Sequence, residues 1–436
     1  MKKYSIIVIF LVLSFLSIFC VKRKEGVVEK GEKKITLRVV VPPWWEINLV
    51  GEPGIFSTQI LESYRENHPN VNLTGDTEGR TKYLLQGRQG TLPDVITLDG
   101  FWIPEFASIG YTVPLDRFIP EELKNDYYEP FLVRYRSKIH GIIGETAFNA
   151  MLWYRKDLFE EEGLDHPPRD WNELREYARM LTKIGPNGKV IRYGLALPGA
   201  RSEHTSVVLL GFYWQGGEEF VNQSNIPIYN NRVSNDLFNL FEEMCRIDKS
   251  IPPETVNMLY EDVEKLFSAD KAAMMLHGSW LSVTINKKAP HLEGKIGLAP
   301  LPSYPATGKT AVNAGGWGIS ITTKDTSKFP AAWDFIYINV GNPGFHLKRI
   351  IELGSIPVRK SMQNDPHFTQ DEWGRTIMEL LPFARTRPPV EIYPDASLAW
   401  TRAFQEVLMG EKSAEDALND AVAWTREIAV EKGYIK

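Results

Sequence analysis

Metal chemistry would show first in the histidines. The eight present, His68, His140, His166, His204, His277, His291, His346 and His367, are scattered. No two stand about three to five residues apart, the spacing a helical or hairpin zinc site needs. The sequence therefore implies no metal. The run from Ser303 ends in Gly308-Lys309-Thr310, which touches on a phosphate-binding loop, but Ser303 replaces its first glycine and prolines interrupt it. There is neither a GxSxG nucleophile elbow nor a GxGxxG turn after a strand, so the sequence implies no nucleotide or other cofactor. Carboxylates are plentiful enough for a two-acid glycoside hydrolase, but nothing in the sequence singles out such a pair.

Tryptophan is the unusual feature, with twelve residues. A flat indole matches the C–H face of a pyranose ring, while neighbouring carboxylates and amides take up its hydroxyls. Trp171, Trp333, Trp373 and Trp424 fall in helical patterns and read as packing residues. Trp44, Trp45, Trp102, Trp214, Trp280 and Trp317 stand beside glycine, proline or strand ends, where a ring can face a ligand. Asp99 and Glu145 are candidate hydroxyl acceptors, with a turn or cap carboxylate as the alternative for each. Arg359, in Ile356-Pro357-Val358-Arg359, reads as a hinge ion pair, not a ligand contact.

The elements that must position these residues alternate. A continuous apolar strand spans Ile35 to Val41 and is closed by Pro42-Pro43, which puts Trp44 and Trp45 on the following loop. A helix around Ile60 to Asn67, a strand near Val71, a helix near Lys82 to Arg88 and a strand from Asp94 to Leu98 follow. This alternation predicts a parallel sheet with helices on its faces, an α/β fold. In such sheets ligands sit beyond the carboxyl ends of the strands, so Trp44, Trp45, Asp99 and Trp102 should gather on one edge. Further on, Asp170 opens a helix to about Lys183 with a capping-box pattern, and Ser234 precedes an amphipathic run through Met244. Strands at Ala272 to Leu276 and Ile296 to Leu298 lead to a Pro/Gly/Ser loop, Ala299 to Thr310. A glycine-rich strand from Gly315 to Ile321 comes next, then a helix from Ala331 to Val340. The last hundred or so residues are mainly helical.

Of 436 residues, 43% are hydrophobic and 24% charged, which suits two or three compact lobes. The formal charge of −5 gives no electrostatic reason for a polyanionic partner, so nucleic acid is not expected. Residues 1–19 read as an export signal, with basic Lys2 and Lys3 before an apolar run that is shorter than a membrane span. An uncleaved anchor is the alternative. Cys20 stands where a lipoprotein cysteine would, although Phe19 occupies a position where a small residue is expected. Residues 20–34 are charged and poor in core-formers, and read as a flexible tether. Cys245, among Phe241, Met244 and Ile247, reads as a buried core thiol.

Several stretches together resemble the extracellular solute-binding proteins of the maltose-binding type. They include Leu92-Pro93-Asp94-Val95-Ile96, Leu152-Trp153-Tyr154-Arg155-Lys156-Asp157-Leu158-Phe159, and Pro167-Pro168-Arg169-Asp170-Trp171-Asn172-Glu173-Leu174. Later come Phe267 to Met274, His277-Gly278-Ser279-Trp280, Gly315-Gly316-Trp317-Gly318, Ala332 to Ile336 and Gly354 to Val358. The resemblance implies a two-lobed periplasmic-binding-protein fold of type II with a hinge. Lobe 1 is expected at 35–145 and 313–353, and lobe 2 at 146–312 and 354–436. It further implies a monomeric, non-enzymatic, extracytoplasmic protein that captures a sugar or oligosaccharide and delivers it to the permease subunits of an ABC importer. A lipid on Cys20 would hold it to the membrane. Trp280 matches a sugar-stacking position, Asp99 and Trp102 fall in a hydroxyl-contacting loop, and Gly316 and Trp317 match a cleft motif. The late stacking ring of maltose binders falls near Ser397, with Tyr393 just before it and Trp400 a turn later. Leu98 replaces an aromatic residue. The alternatives left open are a polyol, glycerol phosphate or peptide ligand, and a secreted carbohydrate enzyme. A phosphate-bearing ligand would call for arginines such as Arg201 or Arg359 in the cleft.

Overall fold

The computed structural model describes residues 34–76 and 79–435. The export segment, Cys20 and the tether as far as residue 33 lie outside the described residues. Twelve strands form among the described residues: β1 (Ile35–Val39), β2 (Val71–Gly75), β3 (Val95–Asp99), β4 (Leu132–Tyr135), β5 (Lys138–Phe148) and β6 (Met151–Arg155), followed by β7 (Lys183–Ile184), β8 (Val190–Ala196), β9 (Ala272–His277), β10 (Ile296–Ala299), β11 (Val312–Ile321) and β12 (Ala384–Arg385).

They make two sheets. The first runs β2-β1-β3-β11-β5-β4, with β12 paired to the start of β11, and the second runs β10-β6-β9-β8-β7. The α/β class holds, but a purely parallel sheet does not. Only β2-β1-β3, β8-β9 and β11-β12 pair in parallel, and every other pair is antiparallel. The reason is connectivity. The early strands are joined by helical crossovers, whereas β4 and β5 form a tight hairpin and β11 returns from the second sheet in the opposite sense.

Local signals explain most boundaries. Asp170 accepts from the N–H groups of Asn172 and Glu173, so the helix Trp171–Leu181 starts where its cap residue predicts. The next amphipathic helix, Arg232–Glu242, starts earlier than the pattern at Ser234 suggests. Asn231 is its cap, accepting from the Ser234 N–H, and Ser234 is a buried residue inside the first turn. Cys245 is buried and unpaired. Trp171 is buried, while Trp333 stacks on Phe118 with ring centres 6.0 Å apart and Trp373 meets Trp153 edge-on at 5.2 Å. Trp424 lies on the helix Ala414–Glu431 as its pattern predicts, but at 38% exposed it is not the packing residue expected.

One apolar core fills the first sheet and its helices and continues under one face of the second sheet; another covers the second sheet's opposite face. The chain passes between the sheets at β5–β6 and at β10–β11. The stretch Ser355–Met362 stays bonded to the first sheet's elements. The Ile356 N–H donates to the Thr146 carbonyl, the Tyr128 N–H donates to the Val358 carbonyl, and Arg359 pairs with Asp126 at 2.6 Å. Arg359 is thus the ion-paired structural residue its sequence context suggested.

Candidate functional site

The first sheet builds one wall from a single row. Trp317 on β11 is the direct partner of Asp99 on β3 and of Glu145 on β5. Residues level on adjacent strands present side chains to the same face, so register alone brings an indole between two carboxylates. The register then shifts, because Gly318 pairs with Ile143 and leaves Gly144 as an extra residue on β5. The bulge's carbonyl is not wasted: it accepts from Arg349 at 3.0 Å and from His346 Nε2 at 2.8 Å, both on the helix Pro343–Glu352. Gly316 is required here, since a Cβ would overlap the Glu145 carbonyl oxygen. At Gly315 a Cβ would stand 2.6 Å from the Asn149 amide and 2.7 Å from the Arg387 guanidinium.

Glu145 is 6% exposed and both its oxygens are used. Trp44 Nε1–H donates to one at 2.6 Å and Trp45 Nε1–H to the other at 2.5 Å. Burial pushes the Glu145 carboxyl above its ordinary range, against the indole donors and the positive charge of Arg349. The two tryptophans share an acceptor but not a fate. They lie on the short helical turn Pro43–Glu46, where neighbours point about 100° apart. Trp44 therefore lines the cleft, and Trp45 is fully buried with the Arg349 guanidinium 3.7 Å above its ring.

The second sheet's helices build the opposite wall. Glu203 and His204 open the helix Glu203–Trp214, and Tyr260 and Glu261 open the helix Tyr260–Ser268. Trp280 follows β9. Gly278 lets its ring fold back, because a Cβ there would collide with the indole. Tyr260 meets Trp280 edge-on at 5.1 Å, and its hydroxyl donates to the Asn149 carbonyl. Burial holds the His204 imidazole below its ordinary pKa, against the pull of Glu261 and Glu203.

Arg387 joins the two walls. It is 6% exposed, pairs with Asp99 at 2.5 Å and Glu203 at 3.2 Å, and lies 4.2 Å over the Phe101 ring. Glu203 also accepts from the hydroxyls of Tyr393 and Ser397. Burial raises the Asp99 carboxyl, with Arg387 pulling it back down.

These walls enclose a cleft of about 460 Å³, within the range of about 300–1,000 Å³ usual for small-molecule sites. Of the residues singled out in the sequence, Trp44, Asp99, Trp102, Glu145, Trp280, Gly316 and Trp317 line it. Trp44 meets Trp317 at 5.1 Å and 75°, and Trp102 meets Trp317 at 6.3 Å and 89°, a partly exposed aromatic corner.

Three candidates do not line the cleft and are corrected. Trp45 is turned into the first core by the helical turn. Trp214 is 3% exposed because its helix is covered on all sides, and Arg385 sits 4.7 Å over its ring. Tyr393 is fully buried under Phe101 and Phe220 and acts only through its hydroxyl on Glu203. Sequence reasoning missed Glu203, His204, Tyr260, Glu261 and Arg387. Arg201 and Arg359 do not line the cleft, and no group of side chains suited to a metal ion occurs among the described residues.

The family model for bacterial extracellular solute-binding proteins matches residues 54–336. The chain belongs to that family. This solute-binding protein is 27% identical over 382 residues to a binding protein of Brucella abortus, covering 85% of this chain and 89% of that one. It is 25% identical over 336 residues to the maltotriose-binding protein of Pyrococcus abyssi, covering 75% and 68% respectively. Among solved structures, maltose-bound MalE3 of T. maritima superposes with a TM-score of 0.77 at 23% identity over 90% of this chain and 100% of that one. A solute-binding protein of Agrobacterium radiobacter in complex with ribitol gives 0.73 at 21% identity over 91% and 99%. The two-lobed solute-binding-protein fold is thereby shown, and the family places the protein outside the cytoplasm. Among the described residues, no helix is long and apolar enough to cross a membrane.

Proposed function

We propose that the chain is the sugar-capturing component of an ABC importer, closing two lobes over a saccharide and presenting it to a membrane permease whose partner ATPase supplies the energy. The observation that carries this is the combination in one cleft of partly exposed indole faces, Trp44, Trp102, Trp280 and Trp317, with carboxylates fixed by other residues. Indoles take the C–H faces of a sugar ring and the carboxylates its hydroxyls. Relatives whose names specify maltotriose and arabinooligosaccharide support the saccharide class. The arginine that faces the cleft is already paired twice, which speaks against glycerol phosphate. A binding role fits three of the four cleft carboxylates, since Asp99, Glu145 and Glu203 each hold a structural donor.

The lobes are assigned to 35–145 with 313–353 and to 146–312 with 354–436. The bonds from Ser355–Met362 to the first sheet favour moving the last crossing beyond Met362. Differential affinity for the closed form drives closure, in a protein that works as a monomer held to the membrane by a lipid on Cys20.

Trp280→Ala is expected to weaken binding of the transported saccharide by about 2 kcal/mol, roughly thirtyfold in Kd. Trp424→Ala, on an outer helix, should leave affinity unchanged. Isothermal titration of both variants checks this, and equal affinities would remove Trp280 from the binding face.

A further inference from the structure

Several donors that line the cleft are already committed to acceptors within the protein. Arg387 is taken by Asp99 and Glu203, the Trp44 N–H by Glu145, and the Asn149 amide by the Asn313 side chain. His204 is different. It stands second in the helix Glu203–Trp214 and lines the cleft, its ring 4.6 Å from that of Tyr260 and tilted 32° to it. The Tyr260 N–H donates to His204 Nδ1 at 3.4 Å. A backbone N–H can only donate, so Nδ1 is the bare, accepting nitrogen and the one proton of the neutral ring sits on Nε2. The neutral form is the one held. Burial keeps the imidazole below its ordinary pKa, against the pull of Glu261 and Glu203, and a second proton on Nδ1 would face the Tyr260 N–H. The two nitrogens lie on different edges of the ring, so Nε2 points away from the Tyr260 backbone. Among the described residues Nε2–H finds no acceptor, yet it is not sealed in the core as the idle Nδ1 of His346 is. The side left open to it is the cleft that His204 lines.

We infer that His204 is a specificity-determining residue of the cleft, donating Nε2–H to one hydroxyl oxygen of the bound solute. This rests on the saccharide reading above and deepens it. A hydroxyl suits the place because it accepts from Nε2–H and can turn its own proton to the Glu261 carboxylate, which lines the cleft beside the ring. A group that only donates, such as an ammonium, meets the imidazole N–H head-on. The backbone bond to Nδ1 holds the ring in the one tautomer that presents a donor, so the selectivity is set before the solute arrives.

Nitrogen-15 NMR of the imidazoles tests the premise: in the free protein at neutral pH, His204 should show a bare Nδ1 and a protonated Nε2. Glucose, galactose, mannose, xylose, arabinose and their disaccharides are then titrated in, and the tightest binder is compared with its own monodeoxy analogues. One analogue should bind about tenfold more weakly, the loss expected for one hydrogen bond left unmade. In His204→Phe, which keeps an aromatic ring on Tyr260 but carries no donor, the parent sugar should weaken by a similar factor, and that one analogue should lose nothing further. Should His204→Phe not fold, the NMR signal decides, since Nε2 must shift when the sugar binds. A proton on Nδ1, an Nε2 that ignores the sugar, a His204→Phe protein that binds it undiminished, or a deoxy loss equal in both proteins would overturn this inference and leave the saccharide reading standing. Silence from every saccharide would overturn both.

Discussion

Arg387→Met should destabilise the protein by about 3–5 kcal/mol at pH 7, because removing one partner of a buried ion pair leaves the other charge uncompensated. Here it leaves two, Asp99 and Glu203, on opposite walls of the cleft. It also strips the cation from the Phe101 ring. The pH dependence has a fixed sign. The Asp99 carboxyl is already raised by burial, and without Arg387 only the hydrogen bond from the Phe101 backbone draws it back. A carboxyl whose folded pKa lies above its unfolded value of about 3.9 binds more protons in the folded state, so stability rises as pH falls. Urea unfolding should therefore show the deficit of the variant shrinking between pH 7 and pH 5. A deficit that is small at pH 7, or that grows on acidification, would mean the pair is solvated. Ligand affinity should fall with stability, since Arg387 holds both walls in register.

Glu145→Leu should cost a similar 3–5 kcal/mol, by a different route. The Trp45 N–H, fully buried, loses its acceptor, and the buried Arg349 above that ring loses the carboxylate that most favours its charge. Arg349 is already drawn down to about 10 by burial, with Glu145 the first group holding it up. With unfolding entropy near 2.1 cal/mol/K per residue, the loss is a fall in Tm of about 4–6 °C. Glu145→Gln keeps the shape and one accepting oxygen, so its Tm should lie between the two. Calorimetry of the three proteins checks the ranking, and a leucine variant as stable as the parent would show the indole bonds to be idle.

The residues that the sequence revealed are those whose position depends on local pattern. Trp317 and Gly316 are legible because only glycine tolerates the approach of β5, and Trp280 because Gly278 before it frees the ring. Asp99 is legible as the last residue of an apolar strand. Trp45 was misplaced because two adjacent tryptophans on a loop look equivalent until a single helical turn separates them. Tyr393 was misplaced because its hydroxyl serves Glu203 from below. Arg387 carried no local signal at all: in Arg385-Thr386-Arg387-Pro388 it reads as linker charge, and its partner Asp99 lies 288 residues away. Glu203 and Glu261 look like the acidic first-turn residues that helices commonly carry. Only the packing of one sheet against the helices of the other distinguishes them. Sheet topology was half legible, since helical crossovers announce parallel strands but the returning β11 is invisible to pattern.

The most direct test of the central claim is thermal unfolding of the purified protein across neutral saccharides, amino saccharides, polyols, glycerol phosphates and short peptides. A ligand at 100 times its Kd adds about 2.7 kcal/mol to the folded state, a rise of about 3 °C in Tm for a chain of this size. The account predicts such a rise with a small set of related saccharides and none with glycerol phosphates or peptides. A rise with a phosphate or a peptide alone, and silence across every saccharide, would contradict it.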